Sequence, residues 1–589
     1  MDRRPRPDSA LAPLVEGVLM GVSLRQMLAP IDGLGFPAFL SRSLREAAPG
    51  NWDRIKRMLR HADSLASFER LAKKHLPFVD GSFVLLAQLP SGEIVMAVDK
   101  FGGMRVYYVS GSRLEKDQPH KREHLASLSF SILELSRISH HGHLDALGLS
   151  EQFYNRQSTN GRTLVQGIRH IPAGHWICLG AGKMGHPSPL RYWCPYEHYK
   201  IPQAMVSTDS VADLVDQTHR RLSAFMEGIR AGRKSVAVPL SGGVDSALLL
   251  ALAKTQFPEV IAVTPDWAVG ANPELSRAKA FAAHLRVPHI VVRLSDADIS
   301  AHFEGSLASH EAILRNFSSI PMRAVLLRCR EFSDVVVYGE GADTLFGSAD
   351  AFGFARRILR ARRAGLFPLR GRRFAGRIIS QVNLPVARRL ATLLMTGQHE
   401  ILAGNHRIMT RLPLESTGIK PPGISEVFLD YTRNARTFRE LLNVGRARAL
   451  EASVSDHMFD IERLALTAKV SVVTPFLGSD LLWFSRTLGV RQQFQKGVYK
   501  PILKELAARW YPAPWVHAPK LGFATPKRLW SELLRDRLLS ECSHSWDDAL
   551  RLTKVVPQQV EGDPELLWNS VCLARLTERL GFKQDLRLP

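Results

Sequence analysis

Apolar residues recur along this chain with two different spacings, and the spacings divide it. Up to about residue 75 the pattern is weak, a mixture of helix and loop signals. From Phe78 to Ala87 the apolar positions gather into a short run. Another follows from Ile94 to Val98 beyond a turn at Pro90-Ser91-Gly92, and a third holds Val106-Tyr107-Tyr108. Short apolar runs joined by polar turns predict an antiparallel sheet. A further β stretch is expected from Thr163 to Leu179, and Tyr192 to Pro202 reads as a linker. Beyond it, Val211 to Ile229 carries apolar residues at helical intervals. Strands at Ser235 to Pro239, Val260 to Val263, His289 to Val292 and Val335 to Tyr338 then alternate with helices at Ala247 to Lys254 and Pro273 to Leu285. That alternation predicts a doubly wound parallel sheet, with ligands at the carboxyl ends of its strands.

Two turns of that second half carry candidate chemistry. The first is Ser241-Gly242-Gly243-Val244-Asp245-Ser246, between a buried strand and a helix. Glycines let the backbone approach a ligand, the serines add hydroxyls, and the helix N-terminus adds partial positive charge, so the turn suits phosphate. A carboxylate, Asp245, makes sense there if Mg²⁺ sits between it and the phosphates. No Gly-Lys-Ser/Thr ending is present, so this is not a Walker A loop. The second turn is Gly339-Glu340-Gly341-Ala342-Asp343-Thr344-Leu345-Phe346-Gly347, with two carboxylates three residues apart.

Composition changes this picture in a few respects. A length of 589 residues asks for two or more domains, and 45% hydrophobic with 23% charged residues is the mixture of a folded chain. No apolar run reaches the roughly eighteen residues of a membrane span, and the patch near Leu14 to Leu24, interrupted by Glu16, is not read as a signal peptide. The five cysteines, Cys178, Cys194, Cys329, Cys542 and Cys572, have neither metal-ligand spacing nor a disulfide framework, and a cytoplasmic location is expected. The formal charge is +22, and part of the excess is local. Between Ala351 and His399 no acidic residue occurs, while arginines such as Arg356, Arg357, Arg360, Arg372 and Arg388 crowd the window. This is either a solvated helical face or a surface for an acidic peptide, a partner protein or nucleic acid. Sparse aromatics there do not favour a base-stacking platform.

Taken as strings, these segments resemble a known family. The first turn resembles the pyrophosphate loop of the ATP pyrophosphatases, and the second the Gly-Glu-Gly-Ala-Asp-Glu-Leu-Phe-Gly motif of class B asparagine synthetases. Gly81-Ser82-Phe83, Asp99 to Tyr108 and Ile171-Pro172-Ala173-Gly174-His175 match the order of that family's N-terminal motifs, although Asp99-Lys100 replaces Arg-Asp and Arg105-Val106 replaces Pro-Leu. Thr474-Pro475-Phe476-Leu477, Lys500-Pro501-Ile502-Leu503-Lys504 and Pro519-Lys520-Leu521-Gly522-Phe523 match later ones.

The resemblance implies an α+β two-domain chain. Residues 1–200 would be a glutamine-amidotransferase-like domain, an Ntn-hydrolase-like antiparallel sandwich. Residues 210–589 would be an α/β ATP-pyrophosphatase (adenine nucleotide α-hydrolase-like) parallel sheet with added helices and an Arg-rich divergent segment at about 350–440. It implies that Leu240, Ser241, Gly242, Gly243, Asp245, Ser246, Val263 and Gly339 hold ATP and its pyrophosphate. Asp245 and Asp343 would hold Mg²⁺, and Glu340, Lys500 and Lys520 would be catalytic. The family's glutaminase uses an N-terminal cysteine as nucleophile. Asp2 stands at that place and the first cysteine is Cys178, so the N-terminal half is expected to support the second domain or its substrate. Ser471-Val472-Val473-Thr474 replaces the family's Glu-Val-Arg-Val, which argues against free aspartate as substrate.

The expected reaction is adenylation of a carboxylate followed by capture with an amine. Among relatives, the lasso-peptide cyclases fit best, with a leader-cleaved peptide as substrate and a precursor-processing protease as a possible partner. They join a peptide's N-terminal amine to its own Asp or Glu side chain. The alternative is an ammonia-dependent or β-lactam-synthetase-like small-molecule amide synthetase. Glu340 stands where the β-lactam branch has Tyr. RNA adenylation and a non-catalytic binding role are the remaining readings. The intact aspartates Asp245 and Asp343 count against the last.

Overall fold

The computed structural model describes residues 28–31, 34, 38–41, 49–110, 126–139, 143–152, 161–179, 188–230, 232–267, 272–363, 425–519, 525–553, 560 and 563–580. The strands before residue 200 are β1 (Leu28–Pro30), β2 (Ala38–Ser41), β3 (Val84–Gln88), β4 (Ile94–Val98), β5 (Tyr107–Ser110), β6 (Ala126–Ser129), β7 (Ile168–His170), β8 (His175–Leu179) and β9 (Leu190–Arg191). They form two antiparallel sheets, ordered β1-β2-β3-β4-β8-β9 and β6-β5-β7. Strand alternation divides the side chains of the larger sheet. Val84, Leu86, Met96 and Val98 pack toward Val106, Tyr108 and Leu128 of the smaller sheet. Leu85, Ala87, Val95 and Ala97 point the other way, into the main core. There helix Leu65–His75 brings Phe68 edge-on to Trp176 at 5.2 Å. The result is a two-sheet sandwich with helices on one outer face.

The structure corrects two expectations in this half. Thr163 to Leu179 is not one β stretch. Gly174 (φ +70°) turns the chain between β7 in one sheet and β8 in the other, and a Cβ there would meet Trp193 O at 2.9 Å. Nor is Tyr192 to Pro202 a linker. It folds as helix Pro195–Tyr199, and Tyr192, Trp193, Tyr196 and Tyr199 are buried, with Tyr196 stacked on Tyr431 at 5.3 Å. Its aromatic rings make it part of the core.

The second half is built on β10 (Ser235–Pro239), β11 (Glu259–Trp267), β12 (His289–Leu294), β13 (Val335–Val337) and β14 (Ser471–Val473). All pairings are parallel, in the order β12-β11-β10-β13-β14. The chain winds outward from β10 to β12 on one side and from β13 to β14 on the other. The winding reverses between β10 and β13, which opens a crevice at their carboxyl ends. Among the described residues no helix is long and apolar enough to cross a membrane.

One apolar cluster contains both Phe83 and Leu85 of the sandwich and Val236 and Leu248 of the parallel half. Polar joints reinforce it. Lys100 Nζ, buried, donates to Pro77 O (3.1 Å), Val79 O (2.9 Å) and Ser479 Oγ (2.7 Å). Arg105 pairs with Asp456 at 2.7 Å and lies over the Phe459 ring at 3.9 Å. Glu311 accepts the amide of Leu133 at 3.2 Å and the hydroxyl of Ser131 at 2.7 Å.

Candidate active site

The crevice is a cleft of about 1220 Å³. That exceeds the ~300–1,000 Å³ of a typical small-ligand pocket. Its first wall is the end of β10. Leu240 N donates to Val263 O (2.9 Å), and buried Thr264 donates its hydroxyl to Leu240 O (2.6 Å), so the ends of β10 and β11 are tied together. The following loop is braced by its own serines. Ser246 Oγ lies 3.1 Å from both the amide and the carbonyl oxygen of Ser241, and 3.0 Å from Ser241 Oγ. Helix Val244–Gln256 then begins with no side-chain cap, which leaves amide donors of its first turn suited to an anion.

The loop glycines do not owe their place to a left-handed backbone. Gly243 has an ordinary extended conformation (φ −91°, ψ 152°), and Gly242 is not in the left-handed region. Gly242 is needed for a close approach instead: a Cβ would stand 2.9 Å from Glu274 O and 3.2 Å from Arg277 Cβ.

β13 supplies the neighbouring loop. Gly341 takes φ +96°, and a Cβ there would strike Leu477 Cδ2 at 2.4 Å. Helix Ala342–Phe346 follows. Buried Arg446 holds that helix by donating to Thr344 O (3.0 Å) and Leu345 O (2.7 Å). Gly347 (φ +141°) leaves room for Gln493 O and for the Lys500 amide, so the chain around Lys500 can pack against this loop.

These elements bring Asp245, Asp343 and Lys500 to one point. Lys500 Nζ lies 2.9 and 2.7 Å from the two Asp245 carboxylate oxygens and 2.7 Å from Asp343 Oδ1. Burial works against the ammonium, but the charges of Asp245 and then Asp343 outweigh it and hold its pKa above the ordinary lysine range. Two carboxylates from separate loops already share one cation here. That donor set fits Mg²⁺, which takes one or two carboxylates and leaves its other positions to phosphate and water.

Leu240, Ser241, Gly242, Gly243, Asp245, Ser246, Val263, Gly339, Glu340, Asp343 and Lys500 all line this cleft. Lys500 is placed between the two aspartates. Lys520 lies outside the described residues, and its neighbour Pro519 lines the cleft. Lys504, one helical turn beyond Lys500, also reaches it, with its pKa lowered by burial and by the Lys500 charge. Of the Arg-rich window only residues 351–363 are described. Arg357 lines the cleft, whereas Arg362 donates to Thr432 O at 2.7 Å and ties two helices together.

The opposite wall was missing from the sequence reading. Helix Ser455–Ala468, entered through a π-helical turn at Leu450–Val454, carries His457 and Asp460 into the cleft. His457 Nδ1 is 3.2 Å from Glu340 Oε2. Asp460 Oδ1 is 3.2 Å from Nε2 of buried His310, and Arg315 pairs with Asp456. The available signal was a polar stripe, Asp456, His457 and Asp460, on a helix whose other positions are largely apolar.

The asparagine synthase family model matches residues 228–576. Proteins of Mycobacterium bovis and of two Mycobacterium tuberculosis strains, provisionally named as glutamine-hydrolysing asparagine synthetases, are 24% identical over 377 residues. The match covers 62% of this chain and 56% of those proteins, so the chain spans little more than half the length of these relatives. The NH3-dependent NAD synthetase from Campylobacter jejuni is 17% identical, with 36% of this chain and 98% of that one covered, at a TM-score of 0.19 that carries no weight. The family match runs across β10 to β14 and every described wall of the cleft, and the chain belongs to the asparagine synthase family.

Proposed function

We propose that this protein is an ATP-dependent, AMP-forming carbon–nitrogen ligase and, within that class, a lasso-peptide cyclase. The carrying observation is the meeting of Asp245, Asp343 and Lys500 beside an uncapped helix N-terminus, with Glu340 lining the same cleft. ATP lies with its phosphates on the loop from Ser241 to Ser246. Asp245 and Asp343 would hold Mg²⁺, whose charge would offset the repulsion between a substrate carboxylate and the α-phosphate. The carboxylate oxygen bonds to the α-phosphorus and pyrophosphate leaves. An amine then attacks the acyl-adenylate carbon, the carbon–oxygen bond to AMP breaks, and Glu340 takes the proton from nitrogen. Lys500 supplies positive charge where the phosphate charge develops.

A peptide substrate is supported by the cleft's size and by its lining outside the two phosphate-side loops, where Phe354, Arg357, Gly445, Arg448, Ala449 and Ala452 also contribute. Holding acid and amine on one folded peptide gives effective molarities on the order of 10⁵ M, so no separate amine source is required. In this reading the N-terminal sandwich supports the cleft through Arg105, which holds Asp456 beside His457. The test is mass spectrometry of candidate peptides and small acids incubated with protein and Mg·ATP, with AMP and pyrophosphate measured alongside. A peptide that loses one water with matched AMP supports the cyclase. AMP release only with a small acid plus ammonia would overturn it in favour of a small-molecule synthetase.

A further inference from the structure

We propose that His457 is a further catalytic residue, the group that takes over from Glu340 the proton lost by the attacking amine. This rests on the ligase reading above, in which Glu340 receives that proton first. The step balances simply. The nitrogen–carbon bond forms, the carbon–oxygen bond to AMP breaks, and the proton passes from nitrogen to the Glu340 carboxyl. It then crosses the 3.2 Å contact to His457 Nδ1. Glu340 returns to its anionic form for the next turnover, and the proton resides on an imidazole whose side chain is 39% exposed in the cleft. His457 therefore links a half-buried base to water.

The surroundings of His457 suit that task. Glu340 faces it from the loop after β13, and Arg315 from the segment before helix Ser319–Arg330. Asp460 and Asp456 lie on its own helix, Asp456 neutralised by Arg105 and Arg315. His310 Nδ1 is 2.7 Å from Ser306 O, a carbonyl that can only accept, so that nitrogen carries a proton. Its Nε2 faces Asp460 Oδ1 at 3.2 Å. Burial works against an Asp460 anion, but His310, His457 and Arg315 outweigh it and hold its pKa below the usual carboxylate range, so Asp460 is the anion behind His457. Burial disfavours a charged His457, but Glu340 first and Asp460 after it outweigh burial and Arg315, and its pKa lies above the usual histidine value. A neutral imidazole is needed to accept the proton, so amide formation must rise with pH through that pKa.

The experiment has two readouts on the full chain. The first is NMR titration of ring-labelled histidines, with His457 assigned by its loss in His457→Gln. Glu340→Gln is expected to lower the His457 pKa; an unchanged value would overturn the pairing. The second uses the substrate identified by water loss. In a single turnover His457→Gln should keep pyrophosphate release while slowing amide formation about 10²-fold, and the acid limb should move to lower pH. Equal slowing of both steps would mean a structural role, and an unchanged amide rate would make His457 a bystander; either overturns the proposal. Failure of the parent protein to release pyrophosphate with any substrate would instead overturn the ligase reading, and this role with it.

Discussion

The two walls of the cleft are made in different ways. The phosphate wall comes from two short loops at the ends of β10 and β13, each a contiguous string in which backbone amides, glycines and carboxylates sit within nine residues. The opposite wall is assembled from distant parts: Arg315, His310, and the helix Ser455–Ala468 with His457 and Asp460, fixed from behind by Arg105 of the sandwich. The first wall is a local property of a strand–turn–helix unit. The second exists only once the long-range packing is complete. Damage to the first should therefore remove chemistry and spare the fold, and damage to the second should change both.

The largest expected effect tests the first wall. Asp245→Asn or Asp343→Asn should lower pyrophosphate release by about 10³-fold or more, since each removes one carboxylate from the shared cation point. Thermal unfolding should move little by comparison. Lys500→Met gives the complementary result. Without the ammonium, Asp245 and Asp343 repel each other, so added Mg²⁺ should raise the Tm of this variant more than that of the parent. An equal Mg²⁺ response in both proteins would argue against the aspartates as its ligands.

That contrast also explains what was legible in the sequence. Ser241 to Ser246 and Gly339 to Gly347 could be read because their chemistry depends on neighbours along the chain. His457 and Asp460 could not, because a lone histidine on a helix acquires a role only from Glu340, which is far away in sequence. The parallel sheet was legible through β13, where Val335-Val336-Val337-Tyr338 is a continuous apolar run, but in β14 only Val472 and Val473 are apolar, too short a run to mark a strand. The stretch from Tyr192 to Pro202 reads as a linker along the chain because Pro195 and Pro202 punctuate it and its apolar residues follow no regular period. Its rings are buried by Tyr431 and Arg446, which only the fold brings near.

A smaller effect sharpens the comparison at the second wall. Asp456 is 11% exposed and holds the guanidinium groups of Arg105 and Arg315 together. Asp456→Ala would leave two mostly buried cations facing each other, a loss of about 3 kcal/mol. It should lower Tm and slow amide formation together. The exposed Arg328–Glu331 pair is the control: Glu331→Gln should cost about 0.5 kcal/mol or less. If Asp456→Ala behaved like Glu331→Gln, the second wall would not depend on the sandwich.

The same helix has a face turned away from the cleft, and it gives the subtlest test. Glu462 is buried where Gly103 of the sandwich approaches, so close that a Cβ on Gly103 would lie 2.9 Å from Glu462 Cγ. Burial, with the Asp99 charge adding to it, pushes the Glu462 pKa up to about 7. The folded chain thus binds a proton more tightly here than the unfolded chain, whose carboxyl titrates near 4.3. This group's contribution is most favourable below the unfolded pKa and declines as pH rises from there to about 7, by about 4 kcal/mol at most. Glu462→Gln keeps the shape and removes the titration. Its Tm should exceed the parent's at pH 8, and the gap should close by pH 5. Because the change lies on the far face of the helix, the acid limb set by His457 should stay in place. A limb that moved with Glu462→Gln would mean that the two faces titrate as one unit and that the sandwich tunes the cleft directly.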